Sequence, residues 1–332
     1  MLSFHEDSKK DSVPIAHGYN NKDCSGVPVF TIYYIPDFSG PPEITSSEPK
    51  SLMESDRYRL CKEYALSKQE YNQLVDRVSK QQPVIETSSR TLKKAYLEIE
   101  KLMNEKLKKC LEFSPSDKIF LKPVYDTSAN RKNQILTMFG SSGCGKSWKV
   151  NDALCRNPAV LAHLVPAIYI FSSVDGDPSY DGLRHLYGEK FVHKDPRDLT
   201  PSDLNIKTYD KKSILIFDDI NSIGDKRIRQ SVINFRNNLL EVARHRSLVV
   251  ISTEHLFHNR VHTQKLRNSS AYMCLYPRNS KKALDDVLEN NMNLNRHQRT
   301  DLLKKVVREG RAQFIHMDNP LYIINTKRCQ LF

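Results

Sequence analysis

A run of eight small and polar residues near the middle of the chain has the composition of a phosphate-binding loop. Glycines allow successive backbone N–H groups to turn towards phosphate oxygens, a lysine can reach the β- and γ-phosphates, and a final hydroxyl can bind Mg²⁺. The spacing G-x4-G-K-[ST] is the Walker A motif, and it predicts a site for ATP with Mg²⁺. The loop residues are Gly140, Ser141, Ser142, Gly143, Cys144, Gly145, Lys146 and Ser147.

A pair of acidic residues, Asp218 and Asp219, ends a second apolar segment at 214–217. Apolar residues without polar alternation predict a strand buried on both faces, and parallel sheets place ligands at the carboxyl ends of their strands. Asp218 is predicted to hold Mg²⁺ together with Ser147. Asp219 is predicted to orient or deprotonate the water that attacks the γ-phosphate. The alternative for Asp219 is that it caps the helix that follows.

Further apolar segments predict the elements that position these residues. Residues 135–139 predict a strand before the loop, and the runs at 167–173 and 248–253 predict two more strands of the same sheet. Residues 225–246 carry apolar side chains at helical spacing. Strands and helices joined by short connections indicate a parallel sheet with right-handed crossovers. The 167–173 segment separates the two motifs in the chain, which leaves room for an extra strand between them in the sheet.

Polar residues just after the 248–253 strand are candidates for contact with the γ-phosphate. Thr253 and Glu254 stand at the tip of this strand. Arg267 lies further along, in a basic stretch, and could stabilise charge on the phosphate in its own subunit or in a neighbour. The alternative for Arg267 is an ordinary surface cation.

The charge of the chain is distributed unevenly. Residues 1–130 contain 19 basic and 19 acidic side chains, whereas residues 131–332 contain 32 basic and 20 acidic ones. A basic domain joined to a neutral one favours a polyanionic partner, most simply nucleic acid. For any single cation the alternative is a solvated helix face. The candidate contacts are Lys226, Arg227, Arg229, Arg244, Arg246, Lys281 and Lys282.

Composition excludes several other classes of protein. The longest apolar stretch, at 160–171, contains His163 and Pro166 and is too short to span a membrane. The first residues do not have the pattern of a secretory signal. Seven cysteines without regular spacing or a C-x-x-C pair indicate reduced thiols in the cytosol or the nucleus.

The fold class predicted from these segments is α/β, a P-loop NTPase with a central, mostly parallel sheet flanked by helices, plus an N-terminal helical hairpin as an appendage. A chain of 332 residues is long enough for one such core and an appendage. Residues 1–50 are predicted to form a disordered or extended arm, with an aromatic island at 30–35 that can add a strand. Residues 51–115 are predicted to form the hairpin, and residues 130–332 the ATPase domain.

Local patterns refine the two ends of the chain. The hairpin is predicted from helical spacing over 51–80 and 87–111. Residues 281–309 predict two short helices. Residues 312–316 and 321–325 predict a closing β-hairpin.

Taken together, the motifs resemble a known family. The segments at 136–147, 216–220, 250–253 and 266–269, in this order, are similar to those of the packaging ATPases of large DNA viruses, virophages and Polinton-type elements. These ATPases are the poxvirus type of the FtsK–HerA superfamily. The resemblance covers roughly residues 132–326 and leaves the first 130 unmatched.

The resemblance implies a function and a set of roles. Members of this family are ring-forming motors that use ATP to move double-stranded DNA into a preformed capsid. By this resemblance the chain would form a homo-oligomeric ring, a pentamer or a hexamer, with capsid proteins as partners, inside the host cell at sites of virion assembly or in the virion. Lys146 and Ser147 would bind phosphate and Mg²⁺, Asp218 would hold the metal, Asp219 would be the base, and Arg267 would act near the γ-phosphate.

The chain departs from the family pattern at two places. Many members have glutamate at the position of Asp219, and a glutamine near the position of Glu254. A carboxylate at 254 would repel a γ-phosphate, so a neighbouring residue is the alternative sensor. Alternative functions are a helicase or helicase loader in viral replication, and a phosphate-binding scaffold in which hydrolysis is incidental. A small-molecule kinase fits least, because the basic excess would have no role.

Overall fold

The computed structural model of this chain describes most of the C-terminal two thirds and parts of the N-terminal third. The described residues divide into two compact units, one of residues 1–13 and 33–113, the other of residues 14–32 and 114–332. The described residues are 2–3, 12–21, 27–34, 57–79, 91–99, 102, 112–114, 120–125, 134–257, 260–276, 281–294, 296, 299–300, 302–304, 312–317 and 321–331.

The smaller unit contains short strands and helices. Strand β1 pairs antiparallel with the end of strand β3, so that Leu2 faces Tyr34 and Ser3 faces Tyr33. Residues 57–63 and 91–99 are helical. Its strands and its remaining helix are β1 (Leu2–Ser3), the end of β3 (Phe30–Tyr34), α1 (Lys68–Ser79) and β4 (Glu112–Phe113). Strand β2 (Val13–Tyr19) belongs, apart from its first residue, to the larger unit.

The helix predicted over 51–80 is interrupted. Ala65 adopts a left-handed backbone conformation with φ 52°, which a continuous α-helix excludes. Ser67 then starts α1 with a capping box: the Ser67 N–H donates to the Glu70 carboxylate at 2.8 Å, and the Glu70 N–H donates to the Ser67 hydroxyl at 3.2 Å. The sequence S-x-x-E at 67–70 is the pattern of a capping box, but the helical apolar spacing on both sides of it predicted one continuous helix. The predicted boundaries of the arm, hairpin and ATPase domain stay a prediction.

The larger unit is built on one sheet that is mostly parallel. Its strands β2 and β5 pair antiparallel with each other, outside that sheet. The strands from the fifth onward are β5 (Phe120–Pro123), β6 (Ile135–Phe139), β7 (Ile168–Phe171), β8 (Phe191–Lys194), β9 (Ile214–Asp218), β10 (Val249–Glu254), β11 (Tyr272–Leu275), β12 (Gln313–His316), β13 (Tyr322–Asn325) and β14 (Arg328–Leu331).

The strand order brings the two sequence motifs together. Within the larger unit, the strands of this sheet lie in the order β14-β13-β12-β11-β6-β10-β9-β7-β8. Every pairing from β11 to β8 is parallel, and β11 to β14 pair antiparallel. Strand β10 lies between β6, which precedes the loop, and β9, which ends in the acidic pair. The fold class predicted from the sequence, an α/β fold with a mostly parallel sheet flanked by helices, is therefore confirmed.

One detail of the predicted order is corrected. An extra strand does lie between the two motif-bearing strands, but it is β10, which follows the acidic pair in the chain. Strand β7, which lies between the motifs in sequence, pairs with the far side of β9. An apolar run predicts a strand but not the strands with which it pairs. The sequence therefore could not decide whether β7 or β10 lies between the two motif-bearing strands.

Helices cover both faces of the sheet. Helix α5 packs on the face that carries Leu215 and Phe217, and the alternating residues Ile214 and Ile216 point to the opposite face, where α2 lies. Helix α7 packs against β11, β12 and β13 through a second apolar cluster. The helices are α2 (Lys146–Cys155), α3 (Pro158–Leu161), α4 (Asp181–Tyr187), α5 (Lys226–Arg246), α6 (Arg260–Ser269) and α7 (Lys281–Asn290).

Most predicted elements of this unit are present. Helix α5 begins where predicted, because the Asp225 side chain accepts hydrogen bonds from the N–H groups of Arg227 and Ile228 at 2.7 and 3.0 Å. The closing hairpin is confirmed as β12 and β13, and its predicted turn lies outside the described residues. Strands β8 and β14 were not predicted. Within the described part, no helix has both the length and the apolar character needed to cross a bilayer.

A buried lysine links β5 to α2. The side chain of Lys122 is 10% exposed and forms an ion pair with Asp152, which also accepts from the Arg156 guanidinium at 3.1 Å. Burial lowers the pKa of Lys122 to about 8, and the Asp152 carboxylate offsets part of that effect.

This pKa predicts a pH dependence of stability. Between pH 8 and 10.5 the unfolded chain holds more protons at Lys122 than the folded protein does, so the free energy of unfolding should rise with pH in that interval. A Lys122→Met variant should lack this part of the rise, whereas Lys207→Met, at an exposed position, should retain it. Urea unfolding at pH 7.5, 9 and 10 measures the difference. Parallel curves for wild type and Lys122→Met would contradict the prediction.

Candidate nucleotide-binding site

The loop between β6 and α2 has the backbone conformation that its glycines allow. Gly143 and Gly145 have φ values of 70° and 95°, which side chains rarely tolerate. The first hydrogen bond of α2 runs from the Lys149 N–H to the Gly145 carbonyl at 3.0 Å. The N–H groups of residues 146–148 therefore precede the helical pattern and lie at the positive end of the helix, where anions bind.

The loop is fastened to two strand tips. The Gly140 N–H donates to the Glu254 carbonyl at the end of β10, at 3.1 Å. The Tyr276 hydroxyl, just after β11, donates to the Gly145 carbonyl at 3.2 Å. A Cβ atom at Gly140 would lie 2.6 Å from Cys144 Sγ, so a larger residue does not fit there. Burial raises the pKa of the Cys144 thiol, as expected of a packing residue rather than a nucleophile.

The Lys146 side chain is folded back onto its own loop. Its ammonium donates to the carbonyls of Gly140 and Ser141 at 2.8 and 3.1 Å. It also lies 3.3 Å from Nδ1 of His255, the residue that follows β10. Lys146 is 7% exposed, so the lysine predicted to bind phosphate is buried beside the loop.

Ser147 and Asp218 meet across the tip of β10. The Ser147 hydroxyl donates to Asp218 Oδ2 at 3.0 Å. The Thr253 hydroxyl hydrogen-bonds the other oxygen of Asp218, and it accepts from the Asp219 N–H at 3.1 Å. Burial raises the pKa of Asp218, while hydrogen bonds from the neighbouring hydroxyls oppose that rise. Ser147 and Asp218, which are predicted to hold Mg²⁺ together, are thus in contact, and Thr253 contacts the same carboxylate.

Tyr180 is a neighbour of this carboxylate that sequence reasoning missed. It ends a short 3₁₀ turn, Pro178–Tyr180, which Asp177 caps by accepting from the Ser179 N–H at 2.8 Å. The Tyr180 side chain is buried, and burial together with the adjacent Asp218 raises its pKa well above the usual value. The segment 174–180 has no periodicity, so no sequence pattern pointed to this contact.

Asp219 leaves the strand in a left-handed conformation, with φ 50° and ψ 39°. Its side chain makes no capping hydrogen bond, and Asp225 caps α5 instead. The Asp219 carboxylate is 36% exposed and lies 2.8 Å from His255 Nε2. The catalytic role of Asp219 stays a prediction, but the capping alternative is not what the side chain does.

Glu254 does not face the phosphate site as a free carboxylate. Its oxygens are paired with the Arg236 guanidinium and the Asn221 amide, and the Ser252 hydroxyl donates to it at 3.0 Å. The side chains of both Arg236 and Glu254 are fully buried. Burial raises the pKa of Glu254, which Arg236 counteracts. The pairing removes the repulsion that a carboxylate at this position would otherwise exert.

Arg236 could have been found in the sequence. It lies four residues after Val232 and three before Leu239, on the apolar face of α5. A charged residue in this register indicates a buried partner. The partner itself, 18 positions away on β10, could not be deduced from spacing.

Arg267 is engaged elsewhere in its own subunit. Its guanidinium forms an ion pair with Asp286 on α7 at 2.8 Å and lies 4.8 Å from the centre of the Phe257 ring. Helix α6, which carries it, runs back towards the amino end of β11. The structure therefore does not bring Arg267 to Lys146 or Asp218, and its predicted role near the γ-phosphate stays a prediction.

The cations proposed for nucleic acid do not form one patch. Lys226 and Arg227 are exposed in the first turn of α5, close to the acidic pair. Arg244 and Arg246 lie at the other end of this helix, about 30 Å away for 21 residues. Arg246 also donates to the Tyr209 carbonyl at 2.7 Å. Lys281 and Lys282 are exposed at the start of α7.

The residues present fit ATP with Mg²⁺. Two neighbouring oxygen ligands of an octahedral Mg²⁺ are about 3 Å apart, which follows from metal–oxygen distances of roughly 2.1 Å. The hydroxyl of Ser147 and the carboxylate of Asp218 have this separation. The N–H groups at the start of α2 and the buried ammonium of Lys146 supply the donors that a triphosphate requires.

Comparison with known proteins gives a distant relationship. No family model matches the chain. A segment is 26% identical over 116 residues to an uncharacterized protein, V3, of Sputnik virophage; the match covers 33% of this chain and 47% of that protein. The chain thus spans about half the length of the relative it matches.

Solved structures with a similar course of the chain include viral packaging proteins. The genome packaging NTPase B204 of Sulfolobus turreted icosahedral virus 2, in complex with AMPPCP, is 14% identical, with a TM-score of 0.39, over 58% of this chain and 97% of that one. The conjugation coupling protein TcpA of pCW3 with ATPgS is 15% identical, with a TM-score of 0.36, over 60% of this chain and 61% of that one.

The buried ion pair predicts a large loss of stability when it is broken on one side. Arg236→Met leaves the Glu254 carboxylate buried without a counter-charge, so the free energy of unfolding should fall by about 3–5 kcal/mol. Adding Glu254→Gln to this variant removes the uncompensated charge and should restore much of the loss. Urea unfolding of the two variants tests this. A double variant no more stable than Arg236→Met would show that the pairing is not what matters.

Substitution of the buried Asp218 is predicted to increase the free energy of unfolding, whereas substitution of Arg236 is predicted to lower it. Because burial raises the pKa of Asp218 in the folded protein, the ionised carboxylate destabilises the fold above that pKa. Asp218→Asn should therefore increase the free energy of unfolding at pH 7, and the gain should vanish below about pH 3.8, where the carboxyl is protonated in both states. Asp198→Asn, at an exposed position, serves as the control and should change stability by less than about 0.5 kcal/mol. A destabilised Asp218→Asn at pH 7 would contradict the prediction.

Proposed function

We propose that this chain is an ATPase that moves double-stranded DNA, and that it packages a viral genome into a preformed capsid as a homo-oligomeric ring. The observation that carries the proposal is the contact between Ser147 and Asp218, 71 positions apart, beside the buried Lys146. A glycine-rich turn without a ligand would have no need for this convergence.

Each residue of the site has a task in hydrolysis. Lys146 and the N–H groups at the start of α2 would hold the phosphates, and Ser147 and Asp218 would hold Mg²⁺. Bound Mg²⁺ would neutralise charge on the phosphate oxygens. The exposed carboxylate of Asp219 would orient the attacking water, and Thr253 would keep Asp218 and Asp219 in register through its two hydrogen bonds.

Duplex DNA as the partner is supported by charge. Lys226, Arg227 and Arg229 lie in the first turn of α5, next to Asp225, whose carboxylate caps the helix. Three cations at the positive end of a helix are unfavourable for the helix, and one capping carboxylate offsets only part of that cost. A polyanion would offset more of it, and the turn lies a few residues after the acidic pair of the proposed ATP site.

The proposals that a viral genome is the cargo and that the protein forms a ring rest on the family resemblance. Its motifs are those of packaging motors, and the proteins to which the chain is similar include genome packaging NTPases of archaeal viruses. A packaging motor would work inside the infected cell at sites of virion assembly, with capsid proteins as partners. The ring would give Arg267 a neighbour's nucleotide to act on, since in its own subunit it is bound to Asp286.

ATP binding can be followed with the protein's own fluorescence. Trp148 is the single tryptophan of the chain, is 58% exposed, and lies two residues after Lys146. Titration with a nonhydrolysable ATP analogue should give a saturable change in wild type. Lys146→Ala should lose both this change and hydrolysis, whereas the neighbouring Lys149→Ala should keep both. Equal binding of the analogue by wild type and Lys146→Ala would show that this loop is not the nucleotide-binding site.

DNA coupling is tested by the ratio of ATP turnover with and without duplex at low salt. Wild type should be stimulated, and the salt dependence of duplex binding should flatten by about two units of slope in Lys226→Glu/Arg227→Glu. The control is Lys211→Glu/Lys212→Glu, the same charge change at exposed residues before β9. Stimulation by single-stranded DNA alone would favour a helicase or a helicase loader. Absence of any DNA binding would favour the phosphate-binding scaffold in which hydrolysis is incidental.

A further inference from the structure

His255 joins the phosphate-binding lysine to the predicted base. It follows β10 directly, the strand that separates the two motifs. Its Nδ1 lies 3.3 Å from the Lys146 ammonium, and its Nε2 lies 2.8 Å from Oδ1 of Asp219. The imidazole is 32% exposed, so it borders the open side of the site, where a nucleotide would enter.

The two neighbours decide which ring nitrogen carries the proton. A lysine ammonium can only donate, and an aspartate carboxylate can only accept. The ring suits both neighbours when Nδ1 accepts from Lys146 and the proton on Nε2 is on the side of Asp219. The contact between Nε2 and Oδ1 is a close electrostatic one at 2.8 Å, and its angle lies outside that of a hydrogen bond. A second proton on Nδ1 would face the ammonium directly. The geometry therefore fits the neutral ring with its proton on Nε2.

The ammonium of Lys146 has three protons and three acceptors. These acceptors are the carbonyls of Gly140 and Ser141, at 2.8 and 3.1 Å, and His255 Nδ1, at 3.3 Å. A phosphate oxygen that binds Lys146 must replace one of them. The longest contact, to His255, is the one most easily given up, and it also faces the open side of the site.

Asp219 depends on its surroundings for the direction of its carboxylate. Its backbone is held by the N–H bond to Thr253 and by its carbonyl, which accepts from the Ser222 hydroxyl at 2.7 Å. These bonds fix the main chain and leave the side-chain torsions free. The contact with His255 acts on the carboxylate itself.

We propose that His255 is a positioning residue with two tasks: it aims the Asp219 carboxylate at the attacking water, and it holds Lys146 until phosphate arrives. Phosphate binding breaks the contact with Lys146 and leaves the contact with Asp219 in place. The inference rests on the proposed ATPase function and assigns a role to a residue beside Glu254, whose own carboxylate is bound to Arg236.

Three variants separate this role from simple packing. His255→Phe keeps a planar ring and removes both polar contacts. His255→Gln keeps an acceptor for Lys146 and a donor for Asp219 on one planar amide. His185→Phe makes the same change at an exposed histidine on α4. Steady-state ATP hydrolysis gives kcat and KM, fluorescence of Trp148 gives the affinity for a nonhydrolysable analogue, and thermal unfolding reports the fold.

The expected result is a split between kcat and affinity. In His255→Phe, kcat should fall by roughly 10- to 100-fold because Asp219 is no longer aimed, while the analogue binds as tightly as in wild type or more tightly. His255→Gln should recover most of kcat. His185→Phe should match wild type. If His255→Phe does not fold, His255→Gln compared with His255→Ala carries the same test.

Other outcomes overturn the inference. These are unchanged kcat in a folded His255→Phe, a weakened affinity with unchanged kcat, or a His255→Gln as impaired as His255→Phe. If wild type and all the His255 variants hydrolyse ATP equally well, the role of His255 is refuted and the proposed function is not. A wild type that neither binds nor hydrolyses ATP refutes the proposed function, and the inference with it.

Discussion

The hydrogen bond between Ser147 and Asp218 depends on a single strand. Strand β10 separates the strand before the loop from the strand before the acidic pair, and its tip carries Thr253, which bonds to Asp218 and Asp219. The same tip accepts the Gly140 N–H and is followed by His255. The loop, the predicted metal-binding acid and the predicted base are therefore held in register by one short segment. A shift of β10 by one residue would turn these side chains to the opposite face of the sheet.

Much of the fold could be predicted because its strands are continuous apolar runs. Residues 135–139 and 214–217 are buried on both faces, as the interior strands of a parallel sheet covered by helices are. Strand β8 escaped prediction because it lies at the edge of the sheet and mixes His193 and Lys194 with two apolar residues. Short edge strands have a weak pattern, since one side is not paired.

The residues of the candidate site also fall into two groups, those that the sequence identified and those that only the structure revealed. Lys146, Ser147 and Asp218 could be named from the sequence, because each belongs to a motif in which neighbours along the chain define the role. Tyr180 and His255 could not, because their partners are brought close only by folding. The register of Arg236 on α5 indicated a buried partner but did not identify it. The departure at Glu254 shows the difference: spacing alone suggested repulsion of a phosphate, and a buried arginine 18 positions earlier neutralises it.

The buried Arg236–Glu254 pair has a mechanical consequence. Arg236 lies near the middle of α5, and Glu254 sits at the strand tip beside the nucleotide site, so the two are joined through a fully desolvated contact that cannot stretch without loss of its charge pairing. Helix α5 is about 30 Å long and rigid. A tilt of a few degrees about this pivot would displace both ends of the helix by about an ångström in opposite directions. The middle of α5 is therefore anchored to the same strand tip that carries Thr253, so a movement of this tip would be passed to both ends of the helix.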